Sequence, residues 1–147
     1  MDNKNFLGTW KLLSFKLIYE DQTFVYPYGK KPIGYLTYTD INYMSVHIMR
    51  NDRINYISND LRNITDKEKE EMINNYNGYC GKYIVKTHNR MIFHYPEINS
   101  FPNGCRVILK RYYEFKKNKL ILTGITSKDK HYPYLVWKRV SSISTHQ

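Results

Sequence analysis

The sequence predicts an all-β fold: a closed, antiparallel, up-and-down β-barrel of eight or nine strands with one short helix at about 66–75. Three observations predict it. Most of the chain consists of short segments in which apolar and polar residues alternate, as in a half-buried strand. Turn-forming residues separate these segments. The chain contains 15 Tyr, 6 Phe and 2 Trp and lacks alanine, and aromatic residues suit pleated sheets better than helices.

The alternating segments give the strands in order. They are 9–20, 23–26, 34–39, 43–50, 81–86, 90–95, 106–116, 119–125 and 134–140. Asn42 and the pair Lys117-Asn118 supply tight hairpin turns, since Asn tolerates a positive φ. This number of strands suits a barrel with a ligand-sized interior. Because no repeat or linker interrupts the pattern, we expect residues 1–147 to form a single domain, with the barrel at about 7–140.

The helix is predicted from its start signal. Thr65-Asp66-Lys67-Glu68 has the form of a capping box, and the acidic residues of the first turns complement the positive end of the helix. We expect the helix to fade near Asn74-Asn75, with Gly78 ending it. Its apolar residues Met72 and Ile73, followed by Tyr76, pack on the barrel in this interpretation. The helix then either covers one mouth or lies on the surface without a gating role.

Charge and composition limit the partners. The net charge is +10, but the cations mostly alternate with apolar residues, which indicates solvated outer faces of strands. We therefore do not expect nucleic acid as a partner. No apolar run approaches the roughly 18–20 residues that span a bilayer, so no membrane is expected. The start has no signal-peptide pattern, and Cys80 and Cys105 are expected to be free thiols. A cytoplasmic location follows as an expectation, with monomer and dimer both open.

Turns and aromatic residues occur in an order that resembles a known family. The matching segments are Leu7–Trp10, Pro27–Gly29, Gly34–Thr39, Tyr43–Ser45 with Arg53, Tyr79 with Gly81 and Tyr83, His94 with Glu97, Phe101–Asn103, Arg111 and Trp137–Arg139. Together they resemble the lipocalin-like domain family, small stand-alone barrels of bacteria and fungi. The resemblance implies a barrel, and some members are linked to natural-product biosynthesis. The sequence departs from the family at His94-Tyr95, where family members often have two adjacent His.

Two residues look like the closure pair of lipocalins. In that pair an Arg of the last strand lies over a Trp of the first strand and joins the two by a cation–π contact. Trp10 and Arg139 stand at the matching positions. The alternative is that Trp10 lines a ligand cavity.

Arg111 is the clearest candidate for a binding residue. It shares the apolar register of its strand with Leu109, Tyr113 and Phe115, so alternation points it into the barrel. An inward guanidinium needs a carboxylate, several carbonyls or an anionic ligand. The sequence leaves open whether Glu97 or a ligand supplies that partner.

Two histidines lie in short strands with apolar neighbours. His47 and His94 are either hydrogen-bonded core residues or, if both point inward, candidates for a general base, with Tyr38 or Tyr83 as hydrogen-bond donor. Two His without a third ligand at suitable spacing do not predict a metal. The glycines are scattered singly, so no phosphate-binding or dinucleotide motif occurs and no cofactor is expected.

Two functions remain for a barrel of this kind. The first is binding of a small hydrophobic or amphipathic molecule in the cavity. The predicted ligand-binding residues are Arg111, His94, Tyr38, Tyr83 and Tyr113. The alternative is a cyclase or isomerase that acts on a polyketide-like or terpenoid intermediate in natural-product biosynthesis, using the same cavity, with His94, His47 and Arg111 as the catalytic residues.

Overall fold

The computed structural model describes residues 3–141, which form a nine-stranded antiparallel sheet. Its strands are β1 Gly8–Tyr19, β2 Phe24–Val25, β3 Ile33–Tyr38, β4 Tyr43–Met49, β5 Tyr76–Lys86, β6 Met91–Asn99, β7 Leu109–Lys116, β8 Lys119–Gly124 and β9 His131–Arg139. β1 pairs with β3, each later strand pairs with the next, and β9 pairs back with β1. Eight strands therefore close into a barrel, and β2 is an extra strand on β1. The predicted fold class is confirmed.

The long strand β1 makes this closure possible. Its first residues, Gly8 to Lys11, pair with β3, and Leu17 and Ile18 near its end pair with β2. The opposite edge of β1 pairs with β9 along almost its whole length, with a register shift between Leu12 and Ser14. Such an irregularity bends a strand, so one strand can serve both the barrel wall and the β2 extension.

Alternation along the strands sorts their side chains between core and solvent. In β3, for example, Leu36 and Tyr38 are buried while Ile33 and Tyr35 are exposed. Inward residues of seven barrel strands join in one buried cluster, and Tyr113 and Phe115 of β7 pack against it as partly buried side chains. The period-2 pattern of the sequence therefore places the core correctly.

One end of the barrel is closed by a single turn of 3₁₀ helix at Lys4–Phe6. Phe6 packs edge-on against Tyr38, Tyr113 and Phe115, with ring centroids 4.8–5.5 Å apart. Trp10 Nε1 donates a hydrogen bond of 2.9 Å to the Phe6 carbonyl oxygen. We call this the closed end.

Arg139 fixes the same turn to the last strand. Its guanidinium lies 4.2 Å from the centre of the Trp10 ring, and it donates hydrogen bonds to the carbonyl oxygens of Leu7 at 2.6 Å and Asn5 at 2.5 Å. The cation–π contact expected from the resemblance is therefore present, and it joins β1, β9 and the N-terminal turn.

The helix α1, Asp66–Asn74, begins as the sequence predicts. Thr65 Oγ1 accepts from the Glu68 N–H at 3.2 Å, and Glu68 Oε1 accepts from the Thr65 N–H at 2.9 Å. The helix ends at Asn74 with Asn75 as its C-cap, as predicted. The role predicted for Gly78 is wrong, because β5 already begins at Tyr76 and contains Gly78. A Cβ at Gly78 would lie 2.7 Å from His47 Nδ1, so this glycine allows close strand packing and does not end the helix.

Three other strand boundaries also differ from the prediction. β6 continues to Asn99, while β7 begins only at Leu109 and β9 already at His131. Arg106 has a φ of +62°, which is incompatible with the extended backbone expected from residue 106 onward.

Cys80 and Cys105 are free. Within residues 3–141, no helix has the length and apolar character needed to cross a bilayer.

Candidate ligand-binding site

The barrel encloses an inner cavity of about 80 Å³ with a mostly apolar wall. Its lining residues come from all eight barrel strands: Phe15, Leu36, Val46, Ile48, Asn77, Tyr79, His94, Arg111, Leu122, Pro133, Leu135 and Trp137. Phe15, Leu36 and Val46 are there because alternation turns one residue in two toward the barrel axis. The polar side chains of the lining, among them Asn77, His94 and Arg111, lie between these aliphatic and aromatic groups.

A wider space, which we call the funnel, opens at the end opposite Phe6 and measures about 670 Å³. Its lining residues are Tyr28, Met72, Ile73, Tyr76, Asn77, Tyr79, Asn99, Ser100, Phe101, Leu109 and Arg111. α1 contributes Met72 and Ile73, which gives this helix a place at the mouth of the barrel. Asn77, Tyr79 and Arg111 line both spaces, so the cavity and the funnel adjoin at these three residues, the neck.

A buried histidine lies at the inner side of the neck. His94 on β6 is 2 % exposed, and both of its ring nitrogens are hydrogen-bonded. Tyr38 Oη lies 2.7 Å from Nε2, and Tyr79 Oη lies 2.7 Å from Nδ1. Three separate strands, β3, β5 and β6, therefore supply one Tyr–His–Tyr cluster.

Burial sets the protonation states of this cluster. Together with a smaller effect of the positive charge of Arg111, it lowers the pKa of His94 to about 3. Burial also raises the pKa of Tyr38 and of Tyr79. At neutral pH the imidazole is therefore uncharged and both phenols keep their protons.

Arg111 is half-buried on β7, where alternation was expected to point it inward, and it lines the inner cavity. Its Nη1 donates to the Lys110 carbonyl oxygen at 3.1 Å. No carboxylate of residues 3–141 lies within ion-pair distance of it. The suggested partner Glu97 is wrong: it is exposed, since it is the extra residue of β6 where the register with β5 shifts between Cys80 and Gly81.

Three other predicted residues lie outside the cavity. His47 is exposed on the outer face of β4, where it contacts Ser45 and the hydroxyl of Tyr76. The direction of His47, which the sequence left open, is therefore outward, and the condition for a catalytic role in the cavity is not met. Tyr83 and Tyr113 do point inward, but at the closed end. Tyr83 donates to the Thr39 carbonyl oxygen at 2.7 Å, and Tyr113 packs on Phe6. Phe6 fills the level of the barrel that these two side chains reach.

Tyr38 does not itself line the cavity and reaches it only through His94. Tyr79, by contrast, is a site residue that was not predicted from the sequence, because the predicted strand began only at Gly81. A signal was available, since Tyr79 continues upstream the inward register of Gly81, Tyr83 and Val85 on β5.

Among residues 3–141, no group of three His, Cys, Asp or Glu side chains is arranged to hold a metal ion.

A closed antiparallel barrel with an apolar inner cavity defines a lipocalin type of fold. The family model for the lipocalin-like domain matches residues 7–140. The chain therefore belongs to the lipocalin-like domain family, whose fold suggests ligand binding in general. A comparison with curated proteins finds no match.

Proposed function

We propose that this barrel binds a small hydrophobic or amphipathic molecule, with its apolar body in the funnel and its polar end at the neck. The observation that carries the proposal is the shared boundary of the two spaces. Apolar walls lie on both sides of it, and the polar side chains Asn77, Tyr79 and Arg111 converge there. Mostly apolar walls with a few convergent polar groups are typical of ligand sites.

Volume supports placing the body in the funnel. Ligand pockets usually measure about 300–1,000 Å³. The funnel, at about 670 Å³, falls in this range, whereas the inner cavity, at about 80 Å³, has room only for a small group. The ligand therefore passes at most a short terminal group beyond Tyr79 and Arg111.

The second candidate is a cyclase or isomerase that acts on a polyketide-like or terpenoid intermediate. One observation favours it: Tyr79 and Arg111 can stabilise negative charge that develops on a substrate oxygen. His94 argues against it, because both ring nitrogens are occupied and a pKa of about 3 makes the imidazole a weak base at neutral pH. Binding without turnover is therefore our first proposal. A cytoplasmic location accompanies it, supported by the two free thiols.

The neutral fluorescent probe N-phenyl-1-naphthylamine tests binding directly. We expect saturable binding of one probe by the full chain. Ile73→Asp and Phe101→Asp each place a carboxylate in the funnel wall at an exposed position, so each should weaken binding while leaving the fold intact. Ile125→Asp is the matched control, since Ile125 is also exposed but is not in the funnel wall.

Two results would overturn the proposal. One is a folded wild-type chain that shows no saturable binding of the probe. The other is equal weakening by Ile73→Asp and by the control Ile125→Asp, because the probe would then not occupy the funnel. Circular dichroism and thermal melts of all four proteins establish that they remain folded.

A further inference from the structure

The burial of Tyr38 determines which groups donate and which accept in the hydrogen bonds of the Tyr–His–Tyr cluster. Tyr38 is 1 % exposed, and within residues 3–141 its hydroxyl bonds to His94 Nε2. If Nε2 carried the imidazole proton, the Tyr38 oxygen would accept it, and the Tyr38 O–H would have no acceptor in the core. Buried donors without acceptors are strongly disfavoured. Tyr38 therefore donates to Nε2.

The position of the second proton then follows. A neutral imidazole carries one N–H, which must be on Nδ1, since Nε2 is an acceptor. Nδ1–H donates to Tyr79 Oη at 2.7 Å. The proton of the Tyr79 hydroxyl is thus not used inside the cluster. Because Tyr79 lines both the cavity and the funnel, this O–H is available to a molecule at the neck.

The other polar groups near the neck are donors as well. Arg111 is a cation, and its hydrogen bond within residues 3–141 uses Nη1 only. The Asn77 side-chain oxygen accepts from Ser100 Oγ at 3.0 Å, which leaves the amide NH₂ as a donor. Trp137 forms part of the cavity wall, and its buried Nε1–H has no acceptor within the described part of the chain. Four donors and one positive charge thus surround this region.

Resting on the proposed binding function, we propose that the ligand carries an anionic oxygen group, such as a carboxylate, that accepts from the Tyr79 hydroxyl and the Arg111 guanidinium. Charge-assisted hydrogen bonds of this kind are the strong ones. Tyr38 and His94 are positioning residues, because they hold Tyr79 as a donor without touching the ligand. An amine would meet donors and a like charge, and it is excluded.

Head-group selectivity tests the proposal. Decanoate, 1-decanol and decylamine share one alkyl chain, and each competes with N-phenyl-1-naphthylamine for the full-length protein near neutral pH. We expect decanoate to displace the probe at about 10-fold lower concentration than 1-decanol, with decylamine the weakest. Equal displacement by all three, or preference for the amine, would overturn the anionic head group while leaving the binding function intact. Absence of probe binding would overturn the function itself.

Paired variants locate the head group. Tyr79→Phe and Arg111→Met should each weaken decanoate binding about 10-fold and leave 1-decanol unchanged. Tyr113→Phe and Lys110→Met are the matched controls. Tyr113 lies at the closed end, and Lys110 is the exposed cation next to Arg111. Equal losses for decanoate and 1-decanol, or equal effects of variants and controls, would contradict the assignment.

The tautomer of His94 gives an independent readout. Long-range ¹H–¹⁵N spectra of histidine-labelled protein distinguish a protonated from an unprotonated ring nitrogen. We expect the proton of His94 on Nδ1, and we expect Tyr79→Phe to change the Nδ1 signal more than the Nε2 signal. A proton on Nε2 would reverse the direction of the cluster and overturn the role of Tyr79 as a donor.

Discussion

The hydroxyl of Tyr79 lies 2.7 Å from Nδ1 of His94, and this contact connects the buried core to the neck of the candidate site. His94 cannot turn away from Tyr79 without losing its bond to Tyr38 on the other side of the ring. The core therefore holds a group that the ligand would meet. Stability of the barrel and chemistry of the site are coupled through one side chain.

Removal of the Tyr38 hydroxyl should destabilise the protein. Tyr38→Phe leaves His94 Nε2 buried without a donor, which costs about 1–3 kcal/mol. Urea unfolding followed by circular dichroism measures the loss. The control Tyr35→Phe changes an exposed tyrosine of the same strand and should stay within about 0.5 kcal/mol of wild type. Equal effects of the two variants would show that the Tyr38–His94 bond does not stabilise the fold.

The buried His94 should make the fold sensitive to acid. An unfolded chain protonates His94 below its ordinary pKa of 6.5, whereas burial lowers the folded value to about 3. Between these two values the unfolded state binds more protons, so the free energy of unfolding falls as the pH falls. Above pH 6.5 this contribution to the pH dependence disappears.

His94→Gln tests this directly, because Gln stays neutral across the window. We expect the variant to lose less stability than wild type between pH 6.5 and pH 4, measured by urea unfolding at each pH. His88→Gln is the control, since His88 is exposed in the turn between β5 and β6. It should follow wild type. If His94→Gln has the same pH dependence as wild type, the imidazole is protonated in the folded state.

The closure of the barrel should depend on Arg139. Arg139→Ala removes the cation–π contact with Trp10 and two hydrogen bonds to the N-terminal turn. We expect a loss of about 1–3 kcal/mol, and faster hydrogen exchange at residues 5–10. Arg139→Lys should recover only part of the loss, because a Lys lacks the planar fork that reaches two carbonyl oxygens. Lys138→Ala, the exposed neighbour, should be near neutral.

Gly81 should not tolerate a side chain. A Cβ at Gly81 would lie 2.0 Å from the Tyr95 carbonyl oxygen, where the register of β5 and β6 shifts. Backbone must move to relieve this contact, so Gly81→Ala should lower stability by at least about 1–3 kcal/mol. The neighbouring variant Cys80→Ala is the comparison, and thermal melts give the order. A fully stable Gly81→Ala protein would contradict this strand register.

Much of the fold follows from local chemistry that one sequence contains. Alternation identified the strands and the inward side of β7, and the capping box at Thr65 identified the start of α1. The hairpin turn at Asn42 was also predicted, and the φ of +67° at Asn42 confirms it. These features depend on neighbours in sequence, which is why they could be predicted.

The site was predicted less well, because whether an inward side chain reaches the site depends on its position along the barrel axis. Alternation assigns a side chain to the inside but not to a level. Tyr83 and Tyr113 are inside, yet Phe6 fills their level, and this could not be seen before the N-terminal turn was placed. Tyr79 was missed because its strand was predicted to begin only at Gly81. The direction of the Tyr–His–Tyr cluster depends on three strands together and on how deeply Tyr38 is buried.

Chemical-shift mapping with decanoate tests the central claim most directly. In ¹H–¹⁵N spectra of the full chain, we predict saturable shifts at residues 77–79, 101 and 109–111, together with the side-chain Nε–H of Arg111. Residues 83–86 and 113–116 at the closed end should not respond. Shifts confined to the closed end or to the outer face, or no shifts at all, would contradict a ligand site at the neck of this barrel.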